Sequence, residues 1–377
     1  MTKRINILAN FGGFGGYQIV TYNLIKGLRF ALLKEGKAFE DYFNLVPLHS
    51  SNDPSSELNK KDIKDFADGK YPFGDVTFGI APIQKFPTLG GKYTIGYPAI
   101  ENQSLTEAQK MHLPIVNEVV STSSFHQMLY KAAGLKAEQV MFGSFDPSIY
   151  FPLSEEMRKE KSKRNFTSFL MVGKFERRKA SIETITAFCD YFEEHPDREK
   201  VVLNCKFLAD VYSRNIQQVK QELEHVFLKY PKAASRIFLV EDRHTDLVKL
   251  YQSSDFLLFP SRGEGIGLPL IEAMACGSIP IVTPYTSFSD YTNSSNSIIL
   301  EDEGMEPFID PFYGLNEENG GQLGKVTVLS IKDGIDKAMK LKDSQKLKMA
   351  NTAIQDISKF CIQHQGLKNL EFFRQFM

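Results

Sequence analysis

The residues best suited to chemistry lie in one string, Pro260-Ser-Arg-Gly-Glu264-Gly-Ile-Gly-Leu-Pro-Leu-Ile-Glu272-Ala-Met-Ala-Cys-Gly277. It follows the apolar run Phe256–Phe259, which places Glu264 at the carboxyl end of an expected strand. Gly265 and Gly267 permit close approach of the backbone, and Pro269 suits the first turn of a helix. Amides entering such a turn lack intrahelical partners, so Gly265, Ile266, Gly267 and Leu268 form a ready anion site. Glu272, expected within the first turn, carries a carboxylate able to accept two hydroxyls of a sugar ring. Alone, Glu272 would only complement the helix dipole, and the glycines would form an ordinary loop. The whole string favours function.

Two further stretches sit where a strand should hand over to a helix. Leu170-Met-Val-Gly173-Lys174-Phe-Glu-Arg-Arg178-Lys179-Ala180 is a basic run that by itself reads as a solvated charged turn. Asn10-Phe-Gly12-Gly13-Phe-Gly15-Gly16-Tyr17 is a glycine loop without the spacing of a dinucleotide fingerprint, and no P-loop lysine follows it. Dehydrogenase and nucleoside-triphosphatase readings weaken accordingly. His112, His126 and His244 have no carboxylate or cysteine partner at ligand spacing, and no Asp-x-Asp metal clamp stands in the expected place.

These loops need elements to hold them. Strands are expected at Ile5–Ala9, Val76–Ile80, Tyr93–Tyr97, Val116–Val120 and Val140–Phe142, with helices over 18–33 and near 125–133. Ser154–Arg164 crowds charges of both signs and reads as a solvated connection. The alternation then restarts with strands Phe169–Val172, Val201–Lys206, Ile237–Val240, Phe256–Phe259 and Ile279–Val282. Helices Ile182–Phe192, Ser213–Leu228 and Asp246–Gln252, and one from Pro269, separate them. Asn293–Gly324 breaks the rhythm and reads as a long loop region. At about 150 residues per domain, 377 residues make two. The pattern predicts an α/β fold of two Rossmann-like doubly wound domains facing a cleft, joined near residues 146–165. The domains are expected at 1–150 and 151–350, and the amphipathic stretch 351–377, with Ile354, Ile357, Phe360 and Cys361 on one face, forms the last helix.

The string 260–277 resembles the E-x7-E motif of retaining GT-B glycosyltransferases with a glycosyl-transferase group 1 type C-terminal domain, the relatives of glycogen synthase. The resemblance implies that Glu272 binds the ribose of a nucleotide-sugar donor, that the loop amides bind its phosphates, and that Glu264 lies by the donor sugar. Gly173, Lys174 and Lys179 resemble the family's diphosphate grip, with Lys174 for the usual arginine and Ala180 for glycine. Arg177 or Arg178 is an alternative first cation. Without donor, the Lys179 side chain is expected to be solvated. The glycine loop resembles the family's first-strand loop, with Gly15 and Gly16 the chosen contacts and Gly13 next. Val119–His126, Gly134-Leu and Gly143–Pro152 extend the likeness into the interdomain linker. Glu101 stands where relatives carry an active-site histidine or glutamate, a candidate for acceptor or sugar contact. The implied reaction is metal-independent transfer to a hydroxyl of a saccharide or lipid-linked acceptor. Domain 1–150 is then the acceptor side, 151–350 the donor side, and the last helix packs back on the first domain. No cofactor is implied, and UDP, GDP and ADP donors all remain open.

Composition narrows the rest. Lys and Arg number 45 against 46 Asp and Glu, a net charge of −1, so no global field advertises nucleic acid or membrane. Residues 1–150 carry 15 basic and 14 acidic side chains, which ranks a glycosyltransferase acting on a nucleic-acid base, as in some viruses, below a saccharide enzyme. A non-catalytic sugar-nucleotide-binding protein is opposed by Glu264, Lys179 and Glu272 together. No apolar run is long enough to span a bilayer, although peripheral membrane contact remains compatible. Four scattered cysteines and a start without a signal-like apolar region point to the cytoplasm, the host's if the source is viral.

Overall fold

Apolar runs short enough for single strands alternate with helices that cover them, and a parallel sheet results in each half of the chain. The computed structural model describes residues 4–11, 15–48, 74–195, 198–207, 214–240 and 246–377. Two units form. One comprises the chain up to Asp146 together with Lys359–Met377, and the other is Pro147–Ser358.

The first unit holds six strands: β1 (Ile5–Ala9), β2 (Phe43–Pro47), β3 (Val76–Ile80), β4 (Tyr93–Tyr97), β5 (Glu118–Ser121) and β6 (Ala137–Gln139). Their order is β2-β1-β3-β4-β5-β6, and every pairing is parallel. All five residues of β1 are buried, as expected of a strand covered on both faces. Its one polar side chain, Asn6, donates to Thr77 Oγ1 at 3.1 Å and accepts from Asn44 at 3.1 Å. β2 was not expected; Pro47 closes it, which an edge strand tolerates. The strand expected at Val140–Phe142 is not formed, and the edge position goes to Ala137–Gln139. Phe142 instead packs against Tyr97 and Phe78, with ring centroids 5.0 and 5.5 Å away. Its apolar side chain covers the sheet and does not extend it.

The last helix, Ile362–Arg374, lies against the first, Gly16–Lys34. Two glycines allow the close crossing: a Cβ on Gly366 would stand 2.1 Å from the Gly27 carbonyl oxygen. Phe373 seats edge-on against Phe43 and Phe78 at 5.4 and 5.2 Å. The return to the first unit begins at Lys359, not at residue 351 as expected. Helix Asp343–Ile357 stays in the second unit, where Asp356 accepts from Asn296 at 2.8 Å.

The second unit contains β7 (Thr167–Gly173), β8 (Val201–Phe207), β9 (Ile237–Leu239), β10 (Phe256–Phe259), β11 (Ile279–Val282) and β12 (Ile298–Ile299). The parallel order β9-β8-β7-β10-β11-β12 is that of a dinucleotide-binding sheet, and it reverses between β7 and β10. The expected connection Ser154–Arg164 contains the helix Glu155–Ser162, which buries no residue. Its charges explain it: Ser154 caps it, Glu155 and Glu156 open it, and Lys159 and Lys161 close it, matching the dipole. The expected loop 293–324 contains β12 and an antiparallel ribbon of β13 (Met305–Pro307) and β14 (Gln322–Gly324). Among the described residues no helix is long and apolar enough to cross a membrane.

Candidate functional site

β7 and β10 are neighbours at the point where the strand order reverses, so the segments leaving their carboxyl ends meet. The basic turn leaves β7 and the Glu264 loop leaves β10. The Arg262 amide donates to the Arg178 carbonyl at 2.8 Å and locks the two together. Glu264, 4% exposed, then has its Oε1 in an ion pair with Lys179, 3.0 Å from Arg178 Nη1, and accepting from Ser261 Oγ at 2.7 Å. Burial pushes the Glu264 carboxyl up, but Arg178 and Lys179 outweigh it and hold it below the usual carboxylate range. The Glu264 amide donates to Thr286 Oγ1 at 2.8 Å, and Thr286 sits at φ +51, a strained value for a β-branched residue.

Lys179 is not solvated, contrary to the expectation. Its side chain is 10% exposed, and its ammonium lies 4.9 Å above the Phe259 ring. The pull of buried Glu264 accounts for this. Ala180 adopts φ +52, the left-handed conformation that favours a glycine. Arg178 is buried and donates to Glu176 at 2.6 Å and to the Gly263 carbonyl at 2.8 Å. Arg177 faces elsewhere, 3.5 Å from Glu306. Lys174 stands just past β7, half-buried, and Gly173 ends the strand, where an added Cβ would stand 3.7 Å from the Lys179 side chain.

Gly265, Ile266, Gly267 and Leu268 are all buried and lead into the helix Leu268–Ala275. Gly267 caps it at φ +76, and a Cβ there would stand 2.9 Å from both Phe288 and Tyr291. No other residue fits. Glu272 lies in the second turn of this helix, not in the first, because the helix begins at Leu268. Its carboxylate is 4% exposed and accepts from Tyr251 Oη at 2.9 Å; Tyr150 also hydrogen-bonds to it. Burial pushes the Glu272 carboxyl up to about 7, against the two phenols that favour its charge.

In the first unit, Gly15 caps the helix Gly16–Lys34 and Gly16 opens it. A Cβ on Gly16 would meet nothing within 4 Å, so packing does not demand this glycine. Gly13 and His244 lie outside the described residues. Glu101 is half-buried in the loop after β4, where Ala99 stands at φ +42. Tyr17 Oη donates to the Pro98 carbonyl at 2.8 Å, which ties this loop to the start of the helix. His126 is buried, with Nδ1 2.7 Å from Ser123 Oγ and a pKa lowered by burial to about 4.

The sequence reading missed Arg262, Tyr150 and Tyr251. Arg262, 2% exposed, donates to Glu306 and Glu183 at 2.7 Å each and to the Arg177 carbonyl at 2.6 Å. An arginine beside Glu264 was visible in the string, but its partners come from distant segments.

Fold and site together define a class: two parallel α/β units, with a carboxylate and two cations at the reversal of the second sheet. Sucrose-phosphate synthase from Thermosynechococcus elongatus has a similar fold, with a TM-score of 0.69 at 14% identity, covering 99% of each chain. Anabaena HepE in complex with UDP and glucose scores 0.67 at 14% identity, with both chains fully covered. The fold is the GT-B fold of glycosyltransferases.

Residues 154–306, which lie within the second unit, match the family "Glycosyl transferases group 1". The serotype-specific mannosyltransferase WbdA of Escherichia coli is 33% identical over 116 residues, 30% of this chain. The chain covers 13% of that protein's length. An uncharacterized glycosyltransferase of Sulfolobus islandicus rod-shaped virus 1 is 24% identical over 109 residues, 29% of this chain and 30% of its own.

Proposed function

We propose that the protein is a retaining glycosyltransferase that moves a sugar, a hexose or a related one, from a nucleoside-diphosphate sugar to a hydroxyl of a saccharide or lipid-linked acceptor. The observation that carries the reading is the convergence of Arg178 and Lys179 on Glu264 at the sheet reversal. A diphosphate seated there meets two cations, and Lys174 and the amides of Gly265–Leu268 are assigned to it as well. As the glycosidic bond breaks, negative charge grows on the departing phosphate, and these groups stabilise it without a metal ion. Glu264 is assigned to the reacting sugar and Glu272 to the ribose. Gly15 and Gly16 are assigned to the donor by the likeness of their loop to the family's first-strand glycine loop.

Retention is assigned to front-face attack, with the departing phosphate taking the acceptor's proton. Glu264 is committed to two cations and a serine, which makes it a poor covalent nucleophile. Glu101 is assigned to the acceptor or the sugar, on the tied loop beside the helix start.

The test is a panel of UDP-, GDP- and ADP-sugars, read by sugar release and by thermal stabilisation. The HepE structures hold UDP-glucose, and WbdA is named a mannosyltransferase. UDP-glucose and nucleotide-linked mannose therefore head the panel. One donor should raise the melting temperature and be hydrolysed slowly; a panel with neither response would refute the proposal.

A further inference from the structure

A buried carboxylate that is to accept two ribose hydroxyls has two difficulties. It must stay charged without water, and it must hold one orientation. Glu272 is 4% exposed, and two segments converge on it. Tyr251, on the helix Leu247–Ser253, is wholly buried and donates to Oε2 at 2.9 Å. Tyr150 comes from the segment that enters the second unit, hydrogen-bonds to the same carboxylate, and has its ring 6.2 Å from that of Tyr251. Gln252 donates to the Phe151 carbonyl at 2.7 Å and pins that segment to the Tyr251 helix.

We propose that Tyr251 and Tyr150 are positioning residues for the nucleotide, their hydroxyls holding the Glu272 carboxylate charged and turned so that its remaining lone pairs meet the ribose. The proposal rests on the nucleotide-sugar reading above. A carboxylate offers about four lone-pair sites, so two phenols leave two for the ribose hydroxyls. Among the described residues the ionisable groups that face Glu272 are Tyr251, Tyr150 and Cys276, and Asp246 acts on Tyr150 and Cys276. None of these described groups is a cation, and the two phenols oppose the burial that drives the carboxyl up to about 7. Removing one should raise the midpoint further.

The experiment compares wild type, Tyr251→Phe, Tyr150→Phe and Glu272→Gln in two measurements across pH 5.5 to 9. The first is calorimetric affinity for the free nucleoside diphosphate of the donor found in the panel, or UDP and GDP if none is found. The second is carbon-13 NMR titration of the Glu272 carboxyl, identified by its disappearance in Glu272→Gln. In Tyr251→Phe the midpoint should rise by about one unit, since one lost hydrogen bond to a charged group is worth roughly tenfold. Affinity should then fall about three- to tenfold near neutrality and recover at pH 9, with turnover at saturating donor little changed. A packing defect would lower affinity equally at every pH. An unmoved NMR midpoint in both phenylalanine variants overturns the proposal, as does equal affinity loss at all pH values. If wild type binds no nucleoside diphosphate, the donor reading fails instead, while the NMR titration still decides whether the phenols control Glu272. If Tyr251→Phe fails to fold, the half-buried Tyr150→Phe carries the same comparison.

Discussion

Glu264 neutralises two cations that the proposed reaction needs for phosphate, and that competition sets the sign of two mutations. Lys179→Ala removes a charge-assisted contact, so donor turnover should drop about ten- to a hundredfold. It also leaves buried Glu264 with Arg178 and Ser261 only, so unfolding free energy should fall by about 1–3 kcal/mol. Donor kinetics and thermal melts check both, and unchanged kinetics would mean that the cation site is elsewhere. Glu264→Gln releases Lys179 from its carboxylate while Arg178 stays paired with Glu176, so turnover should fall while affinity for the free nucleoside diphosphate holds or rises. If calorimetry shows affinity lost here and kept in Glu272→Gln, the two glutamates have exchanged roles. The pH dependence follows the same carboxyl. Its pKa is lowered from 4.5, so its stabilising contribution is full above that value and is lost as pH falls through the lower folded value. Wild type should therefore lose stability more steeply below about pH 4.5 than Glu264→Gln does.

At the scale of elements, the site depends on a strap that has no catalytic residue of its own. Arg262 joins the basic turn through the Arg177 carbonyl, the helix Ser181–Glu194 through Glu183, and the ribbon through Glu306. Arg262→Ala should unlock all three and cost about 2–3 kcal/mol, discounted because Glu183 and Glu306 retain some solvent. Urea unfolding measures the loss, and a change below 0.5 kcal/mol, the scale of ordinary surface substitutions, would show that the strap is dispensable. The ribbon also marks where the sequence was hard to read. β10 and β11 were legible residue for residue because strands buried on both faces are continuous apolar runs. The ribbon has no such run: Met305 is 63% exposed, and what holds Glu306 is a distant arginine. Helix Glu155–Ser162 has no apolar face to detect. Glu264, Lys179 and Glu272 could be singled out because they follow strand ends in strings that resemble a family's motifs. Tyr251 could not, since a tyrosine within an amphipathic helix looks like core until its neighbour in space is known.

At the scale of the molecule, the second unit is an insertion within the first. The chain leaves the first unit after Asp146 and returns at Lys359. A chain ended after Ser358 would lack Phe373 against Phe43 and Phe78, and would uncover the Gly27 face of the helix Gly16–Lys34. Calorimetry of that truncated chain should lose the transition of the first unit and keep that of the second. Loss of both would show that the two do not fold separately. The discontinuity also dictates an order during synthesis. The ribosome delivers β1 early, but the helix that seals its sheet is translated only after the whole second unit has been translated. The usual sequence, amino-terminal domain first, is therefore inverted. The later-made unit can finish while the earlier one waits with Phe43 and Phe78 uncovered, a window in which a chaperone has most to protect.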